Sequence, residues 1–465
     1  MPRKTVPALV IALLGLALSL CLAEQRGNLR GYITAKPDER TLKIMADVIY
    51  LEPSTKFDIQ DGPPGKRLAS HNLAVGMLIE ANGMWVGKHQ LLAKKITCDW
   101  DQFDREISES AYLEQEPVQA AKILGGVPFN LKADGEMLIP DENTTPTWQQ
   151  TTVQPTAGKL PAEAKLAGSR LRYRGVRRPD GSIVAREVEF GPPPPEEAFQ
   201  NPGGLRVVRG KDPQTGIDIL EFREKEEVVA KMKLFPVKEV QEYVGQLGAK
   251  LSPGAEAAPL LRSLEFRFYV IEDAEVNAAA LPDGAILVNT GLLGALENEA
   301  QLAFVLSHEI SHVTQAHYWR FVHETRPQRV GLLVADLAAL AVAIATKRGY
   351  IFSLANFFVT IGLPAVVNGY GRRLESQADR LALQSLVDHG YDPRQASRLS
   401  AILIERYASR SMSVIWSSHP SNVIRGSFLT VQIERQYPQD DFSQKTVDTE
   451  AFRAMRQAMG PVKSM

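Results

Sequence analysis

The stretch Leu306-Ser307-His308-Glu309-Ile310-Ser311-His312 decides how the rest of this chain is interpreted. In a helix, His308 and His312 lie four residues apart and project from one face, so both imidazoles can bind one metal ion. Glu309 flanks that face and is placed to act as a general base. The alternative is an exposed helix that happens to carry two of the chain's eight histidines. The stretch therefore predicts a zinc site with an acid beside it.

The residues around this motif favour a helix that is anchored in a core. Asn298 is a suitable N-cap, and Gln301 stands three residues later, as in a capping box, so we expect a helix that begins near Glu299. Apolar residues then recur at helical spacing, which predicts a buried stripe: Leu302, Val305, Leu306, Ile310 and Val313.

Length and composition describe a globular protein of two or three domains. The chain has 465 residues, of which 44% are hydrophobic and 23% are charged. Its net charge of −1 gives no reason to expect nucleic acid as a partner.

The N-terminus has the pattern of a secretory signal. Residues 1–23 contain two basic residues, an apolar run over residues 6–20 and a small-x-small cleavage site that ends at Ala23. A lipid anchor on Cys21 is the alternative, although the residue before it is large. Cleavage after Ala23 would leave Cys98 as the only cysteine and exclude an intramolecular disulfide. We therefore expect an exported, periplasmic protein.

The segment after the signal contains two copies of one unit. In each copy, two alternating apolar and polar runs flank a turn, at residues 86–89 and 178–181, which predicts a β-hairpin. We expect two small β-barrel-like or sandwich modules, residues 24–122 and 123–190, without catalytic residues. A shift of 92 residues superposes Leu68 on Leu160, Gly76 on Gly168, Gly83 on Gly175, Ala93 on Ala185 and Ile96 on Val188.

A proline- and glycine-rich linker, residues 191–204, separates these modules from a third domain, residues 205–465. That domain begins with strand patterns and an amphipathic helix, followed by two more strand patterns. The predicted fold class is thus α+β and multidomain, with a mostly α-helical metallopeptidase domain that contains a small sheet. The predicted strands cover residues 205–208, 217–222, 264–270 and 285–288, and the helix covers residues 237–251.

One of these strands is a candidate for substrate binding. In zinc peptidases, an edge strand beside the metal can hold an extended peptide by main-chain hydrogen bonds. A plain core strand is the alternative. The candidate edge consists of Gly284, Ala285, Ile286, Leu287, Val288 and Asn289.

A catalytic zinc ion needs a third protein ligand and leaves its fourth position to water. A metzincin would have a third histidine where this chain has Tyr318, and His317 is expected to point off the ligand face. A thermolysin-like glutamate would be expected roughly 20 residues beyond the second histidine, but Leu332 and Leu333 stand there, and the nearest acid in that region is Asp336, within an apolar run. Further on, Glu375 and Asp379 are four residues apart, so a helix would put one carboxylate on zinc and the other behind a ligand histidine. A solvated helix face is the alternative for this pair.

Several motifs in a fixed order resemble the gluzincin family of zinc metallopeptidases, which includes the HtpX and BepA-like proteases and the CAAX prenyl protease. The resemblance covers roughly residues 237–425. Two residues depart from the family pattern, and we expect neither to affect the chemistry. Gln377 stands where the family often has an acid, and Ser311 stands where Gly or Ala is usual. The motifs are Asn277-Ala278-Ala279, Leu281-Pro282-Asp283-Gly284, Gly291-Leu292-Leu293, the run from His308 to His317, Glu375-x-x-x-Asp379, Gly390-Tyr391-Asp392-Pro393 and Ser418-His419-Pro420-Ser421 through Arg425.

This resemblance implies a set of site residues and a cofactor. Glu309 would be the general base and Asp379 a supporting carboxylate. His419 stands at the family's His-Pro position, where it could stabilise the oxyanion or occupy the open metal position. The implied cofactor is one zinc ion per chain, bound by His308, His312 and Glu375.

The expected function is an exported zinc endopeptidase that acts on protein or peptide substrates such as misfolded envelope proteins. The alternative is a zinc-containing chaperone or assembly scaffold of the envelope, although a structural zinc site does not need an acid beside its ligands. The two apolar segments within residues 330–367 are shorter than, or close to the lower limit of, a spanning helix. We expect buried helices there, with membrane association as the alternative.

Overall fold

The computed structural model contains two compact units, residues 1–103 and 104–465. The predicted signal peptide, residues 1–23, lies outside the residues that the structure describes. The described residues are 25–60, 67–99, 105–112, 131–133, 136–148, 170–177, 183–191, 194–254, 261, 264–324, 372–407 and 422–460.

A six-stranded sheet forms the first unit. Its strands are β1 (Gln25–Tyr32), β2 (Ala35–Asp38), β3 (Thr41–Ile44), β4 (Asp47–Gln60), β5 (Leu78–Gly87) and β6 (Gln90–Asp99). Their order is β1-β5-β6-β4-β3-β2, and all neighbours are antiparallel except the parallel pair β4 and β6. The hairpin predicted around residues 86–89 is confirmed by β5 and β6.

A five-stranded sheet belongs to the second unit. Its strands are β7 (Arg105–Tyr112), β8 (Leu131–Ala133), β9 (Glu136–Trp148), β10 (Arg170–Arg177) and β11 (Ile183–Gly191). The order is β7-β10-β11-β9-β8, again with one parallel pair, β9 and β11. Because β7 pairs with β10, the boundary between the sheets lies before Arg105, not after residue 122 as predicted.

Two glycines occupy corresponding places in the two sheets. Gly83 and Gly175 each stand at a register shift between the paired strands. A Cβ on Gly83 would lie 2.0 Å from the Leu92 carbonyl oxygen, and one on Gly175 would lie 2.2 Å from that of Val184. Only glycine permits this approach of two backbones. The N-terminal region is therefore β-rich as predicted, whereas closure of either sheet into a barrel stays a prediction.

The predicted linker is partly ordered against the following domain. Residues Glu196–Phe199 form a 3₁₀ helix, in which Ala198 is buried. Asn201 is also buried, and its Nδ2 donates a hydrogen bond to the Leu205 carbonyl oxygen at 3.0 Å. In the second half of the predicted linker, residues 191–204, Ala198 and Asn201 are therefore buried against the chain that follows.

Two three-stranded sheets open the third domain. The antiparallel one contains β12 (Arg206–Lys211), β13 (Asp218–Glu224) and β14 (Glu227–Lys233), and the mixed one contains β15 (Arg267–Ile271), β16 (Ala278–Ala280) and β17 (Ala285–Asn289). The strand order in the mixed sheet is β15-β17-β16. One apolar cluster, which includes Phe222, Tyr269 and Leu287, joins the two sheets.

Helices make up most of the remaining described residues. They are α1 (Lys238–Leu251), α2 (Thr290–Ala295), α3 (Glu299–Thr314), α4 (His317–Glu324), α5 (Arg372–Asp388), α6 (Arg394–Tyr407), α7 (Asn422–Gln436) and α8 (Glu450–Met459). Among these helices, none combines the length and the apolarity needed to cross a bilayer. Residues 330–367, where buried or membrane-associated helices are expected, lie outside the described residues.

Helix α3 carries the His-Glu-x-x-His motif through the core. It packs against α1, α5, α6 and β16, and all its residues except the last are buried. The predicted N-cap is confirmed, since Asn298 Oδ1 accepts a hydrogen bond from the Gln301 amide at 3.1 Å. In a capping box, the Gln301 side chain would accept a hydrogen bond from the Asn298 amide. Here it accepts one from the amide of Glu297, the residue before the N-cap, at 2.8 Å. This anchored start fixes the rotation of α3 and hence the direction of its histidines.

Candidate active site

The structure brings together the three predicted metal ligands. His308 Nε2 lies 2.9 Å from His312 Nε2, because the two residues are one helical turn apart on α3. Glu375, on α5, points its carboxylate at both rings, with Oε2 3.5 Å from His308 Nε2 and Oε1 3.9 Å from His312 Nε2. All three side chains are buried, and their candidate ligand atoms lie within 4.8 Å of one another.

This donor set fits a catalytic zinc ion. Two imidazole nitrogens and one carboxylate leave the fourth tetrahedral position for water, whereas structural zinc sites usually have four protein ligands, often cysteines. The chain's Cys98 belongs to the first unit and hydrogen-bonds the Leu78 carbonyl oxygen there. Asp336, the other acid considered as third ligand, lies outside the described residues.

Asp379 lies behind His308, one turn beyond Glu375 on α5. Its Oδ1 is 3.0 Å from His308 Nδ1, so an N–H on Nδ1 would donate to it and leave the Nε2 lone pair for a metal ion. Burial opposes ionisation of Asp379, but the neighbouring Arg425 and His308 outweigh it and hold the pKa of Asp379 below its usual value. The solvated-face alternative for this pair of acids is thereby excluded.

Arg425 completes this side of the site, although the sequence assigned it no role. From α7, it donates a hydrogen bond to Asp379 Oδ1, and its Nη2 lies 2.9 Å from His308 Nδ1. Its guanidinium stands 5.7 Å from the ring centroid of Phe304, one turn before the first histidine of α3. A buried cation thus neutralises the carboxylate that orients His308.

Glu309 has the environment expected of a general base. It is 4% exposed, and this burial, together with the nearby Glu375 carboxylate, raises its pKa to about 7 despite the opposing influence of His308 and Arg425. A base with a pKa near the working pH is the most effective one. The backbone amide of Ala280 donates a hydrogen bond to the Glu309 carboxylate and so connects it to β16.

The prediction that residues 284–289 form an edge strand is wrong, because β17 lies in the middle of its sheet. β17 (Ala285–Asn289) pairs with β15 on one side and with β16 on the other, and all five of its residues are buried. Gly284, which precedes it, has a φ of 88° and turns the chain between β16 and β17. Within the described part of the chain, the edge next to the site is therefore β16 (Ala278–Ala280).

The register of β16 shows which of its main-chain groups face outward. The Leu281 amide donates to the Ala285 carbonyl oxygen at 2.8 Å, and the Asn289 amide donates to that of Asn277 at 3.0 Å. In an antiparallel ladder such pairs alternate with unbonded ones, so the amide and carbonyl groups of Ala278 and Ala280 point away from β17. β16 has no clear strand pattern in the sequence, because it is short and consists of three alanines. Ala278 and Ala279 do belong to one of the motifs that resemble the gluzincin family.

A small apolar pocket adjoins β16 and the metal ligands. Its lining combines Ala280 with His312 from α3, Tyr318 from α4 and Ala198 from the segment predicted as a linker. The remaining predicted residue, His419, lies outside the described residues.

Comparisons with known proteins match the region of the chain that contains this site. Residues 239–432 match "Peptidase family M48", and residues 30–97 match a "Domain of unknown function (DUF5666)". The chain is 29% identical over 181 residues to the beta-barrel assembly-enhancing protease of Escherichia coli (strain K12), an alignment that covers 38% of this chain and 36% of that protein.

Other relatives match the same region. The putative beta-barrel assembly-enhancing protease of Vibrio cholerae is 30% identical over 183 residues, which cover 39% of this chain and 36% of the relative. The mitochondrial metalloendopeptidase OMA1 of Arabidopsis thaliana is 26% identical over 188 residues, or 40% of this chain and 36% of the relative. The chain thus spans about a third of the length of these relatives. Residues 239–432, which contain the buried His, His and Glu cluster, thus form a domain of the M48 family of metallopeptidases.

Proposed function

We propose that this protein is an exported zinc-dependent endopeptidase in which His308, His312 and Glu375 hold the metal ion and Glu309 is the general base. The observation that carries the proposal is the convergence of three buried ligand side chains beside a buried carboxylate whose pKa is about 7. A bound zinc ion would supply Lewis acidity to the peptide carbonyl and lower the pKa of a water molecule.

Glu309 performs the proton transfers of this reaction. It takes a proton from the water whose oxygen forms the new bond to the carbonyl carbon, and it returns that proton to the amine nitrogen as the peptide bond breaks. In the metal-free site, burial raises the pKa of Glu309 to about 7. Asp379 keeps His308 oriented throughout, and His419 is proposed to stabilise the developing oxyanion.

The substrate is proposed to bind along β16. An extended peptide can add to a sheet edge through main-chain hydrogen bonds, and the amide and carbonyl of Ala278, which point away from β17, are proposed to form them. The Ala280 amide is already bonded to Glu309, which supports a scissile bond near that end of the strand. The small pocket beside His312 would then lie next to the bound peptide at this end of β16.

The proposed substrates are misfolded or unassembled envelope proteins. Two facts support them: the N-terminal residues have the pattern of a signal peptide, and bacterial relatives are named beta-barrel assembly-enhancing proteases. The two N-terminal sheets are proposed to be copies of one barrel-like module. Their matching strand order and the equivalent glycines at residues 83 and 175 support this duplication.

The test is cleavage of casein by the purified mature protein. We expect fragments to appear with zinc, to be lost after the metal is removed with a chelator, and to return when zinc is added. A scaffold without proteolysis would bind unfolded casein and leave it intact under all three conditions. In addition, Glu375→Ala should lower the zinc content, and full metal occupancy in that variant would point to Asp336 or another acid as third ligand.

A further inference from the structure

His317 contacts the second metal ligand from behind. Helix α3 ends at Thr314, and Ala316 has a φ of 50°, so the chain turns sharply before α4 begins. The turn brings His317 back against α3, where its Nδ1 lies 2.8 Å from His312 Nδ1. The side chain is fully buried. His317 therefore lies off the metal-binding face of α3, as predicted, and contacts the His312 ring nitrogen that faces away from the metal site.

Gln377, on α5, holds the far side of the His317 ring. Its Oε1 lies 2.8 Å from His317 Nε2 and 3.0 Å from Arg320 Nη1, while its Nε2 donates to Gln315 Oε1 at 3.0 Å. A guanidinium can only donate, so the Gln377 atom that faces Arg320 must be the carbonyl oxygen. His317 Nε2 therefore faces an acceptor and carries a proton.

This arrangement determines the proton positions as far as the metal ligand. A neutral His317 with its proton on Nε2 has a lone pair on Nδ1, and that lone pair accepts from His312 Nδ1. The proton of His312 is then on Nδ1, and its lone pair is on Nε2. That nitrogen is the one that faces His308 and Glu375.

We propose that His317 and Gln377 are positioning residues that fix His312 in the tautomer able to bind zinc through Nε2. The proposal rests on the function proposed above, since it needs a metal ion at this site. Each ligand histidine would then have its own acceptor, Asp379 for His308 and His317 for His312. The expectation that Gln377 does not touch the chemistry is replaced by this role.

An amide suits this position because of the charges around it. Glu309, Glu375 and Asp379 already place three carboxyl groups in the buried site. Gln377 accepts from His317 and Arg320 without a further negative charge, and its amino group adds the bond to Gln315. The simpler interpretation is that these bonds only attach α4 to α5, and the experiment must separate the two roles.

The experiment measures zinc affinity of the purified mature protein by competition with a chelator. Gln377→Met keeps the size of the side chain but removes the acceptor, and we expect the zinc dissociation constant to rise roughly 10- to 100-fold. Gln377→Glu keeps the acceptor and should bind zinc as the parent does. Ser385→Ala is the control on the same helix, because it removes a bond of 2.9 Å from Ser307 of α3 to α5 and leaves the bonds of Gln377 and His317 in place.

A purely structural role would lower the melting temperature of the metal-free Gln377→Met protein and leave its zinc affinity unchanged, which would overturn the proposal. Equal weakening of zinc binding by Gln377→Glu and Gln377→Met would also overturn it. Nitrogen NMR of the ¹⁵N-histidine-labelled parent reads the tautomers directly and needs no variant: His312 protonated on Nδ1 supports the proposal, and protonation on Nε2 of the metal-free ring refutes it. Failure of the parent itself to bind zinc would instead refute the proposed function.

Discussion

Replacing Asp379 with asparagine tests the support behind the first metal ligand. The carboxylate is 2% exposed, accepts from His308 Nδ1 at 3.0 Å and is also bonded to Arg425. The asparagine side chain would keep the shape and one acceptor oxygen, but it would remove the negative charge. The variant therefore separates charge from packing.

Two effects follow from this loss of charge. A hydrogen bond to a charged group contributes about 1.5–3 kcal/mol, and each 1.4 kcal/mol is about a factor of ten, so zinc should bind roughly 10- to 100-fold more weakly. Removing one partner of a buried ion pair costs about 3–5 kcal/mol of unfolding free energy, and the retained amide oxygen should bring the cost to the lower end. Much of that cost comes from the Arg425 cation, which loses its ionic partner in the variant.

The assay combines chelator competition with urea unfolding of the metal-free protein. Adding Arg425→Met to Asp379→Asn should recover stability while zinc binding stays weak, because the uncompensated cation is removed and the weakened support of His308 is not restored. Asp388→Asn, an exposed position at the end of α5 bonded to Gln384 at 3.3 Å, is the control and should change neither quantity. A folded Asp379→Asn protein with the parent's zinc affinity would refute the reasoning.

Three further outcomes test other parts of the structure. Ala280→Pro removes the amide that donates to Glu309 on the outward side of β16, so proteolysis should fall at least about tenfold while zinc content is retained; cleavage rate and metal analysis check this. Gly83→Ala should destabilise the first unit by about 1–3 kcal/mol, because the added Cβ clashes with the backbone. Gly245→Ala in α1, where a Cβ meets nothing within 4 Å, should instead stabilise the protein by up to about 1 kcal/mol. Thermal unfolding measures both changes. Tyr391→Phe removes a hydroxyl that donates at 2.7 Å to a buried carboxylate at the start of α3, and urea unfolding should show a loss of about 1.5–3 kcal/mol with unchanged zinc binding.

The parts of the site that the sequence predicted are those set by local spacing. Helical periodicity alone places His308 and His312 on one face, and it does the same for Glu375 and Asp379. Whether these two pairs meet depends on tertiary structure, and only the family resemblance implied that they do. The start of α3 was predictable because Asn298 acts on the amide only three residues away.

The parts that were missed depend on contacts between distant segments. Whether β17 lies at an edge depends on its pairing with β16, and three alanines carry almost no periodic signal. β7 was assigned to the wrong module because its partner, β10, comes much later in the chain. Arg425 and Gln377 reach the site from α7 and α5, and their roles follow only from their partners there.

The most direct test of the central claim is the behaviour of Glu309→Gln. The amide has nearly the shape of the carboxyl group, so the ligand cluster should remain intact and the purified variant should contain one zinc ion per chain. Loss of the base should reduce casein cleavage by about 10²- to 10⁴-fold. A Glu309→Gln protein that retains zinc and cleaves casein at the parent's rate would contradict the proposed mechanism.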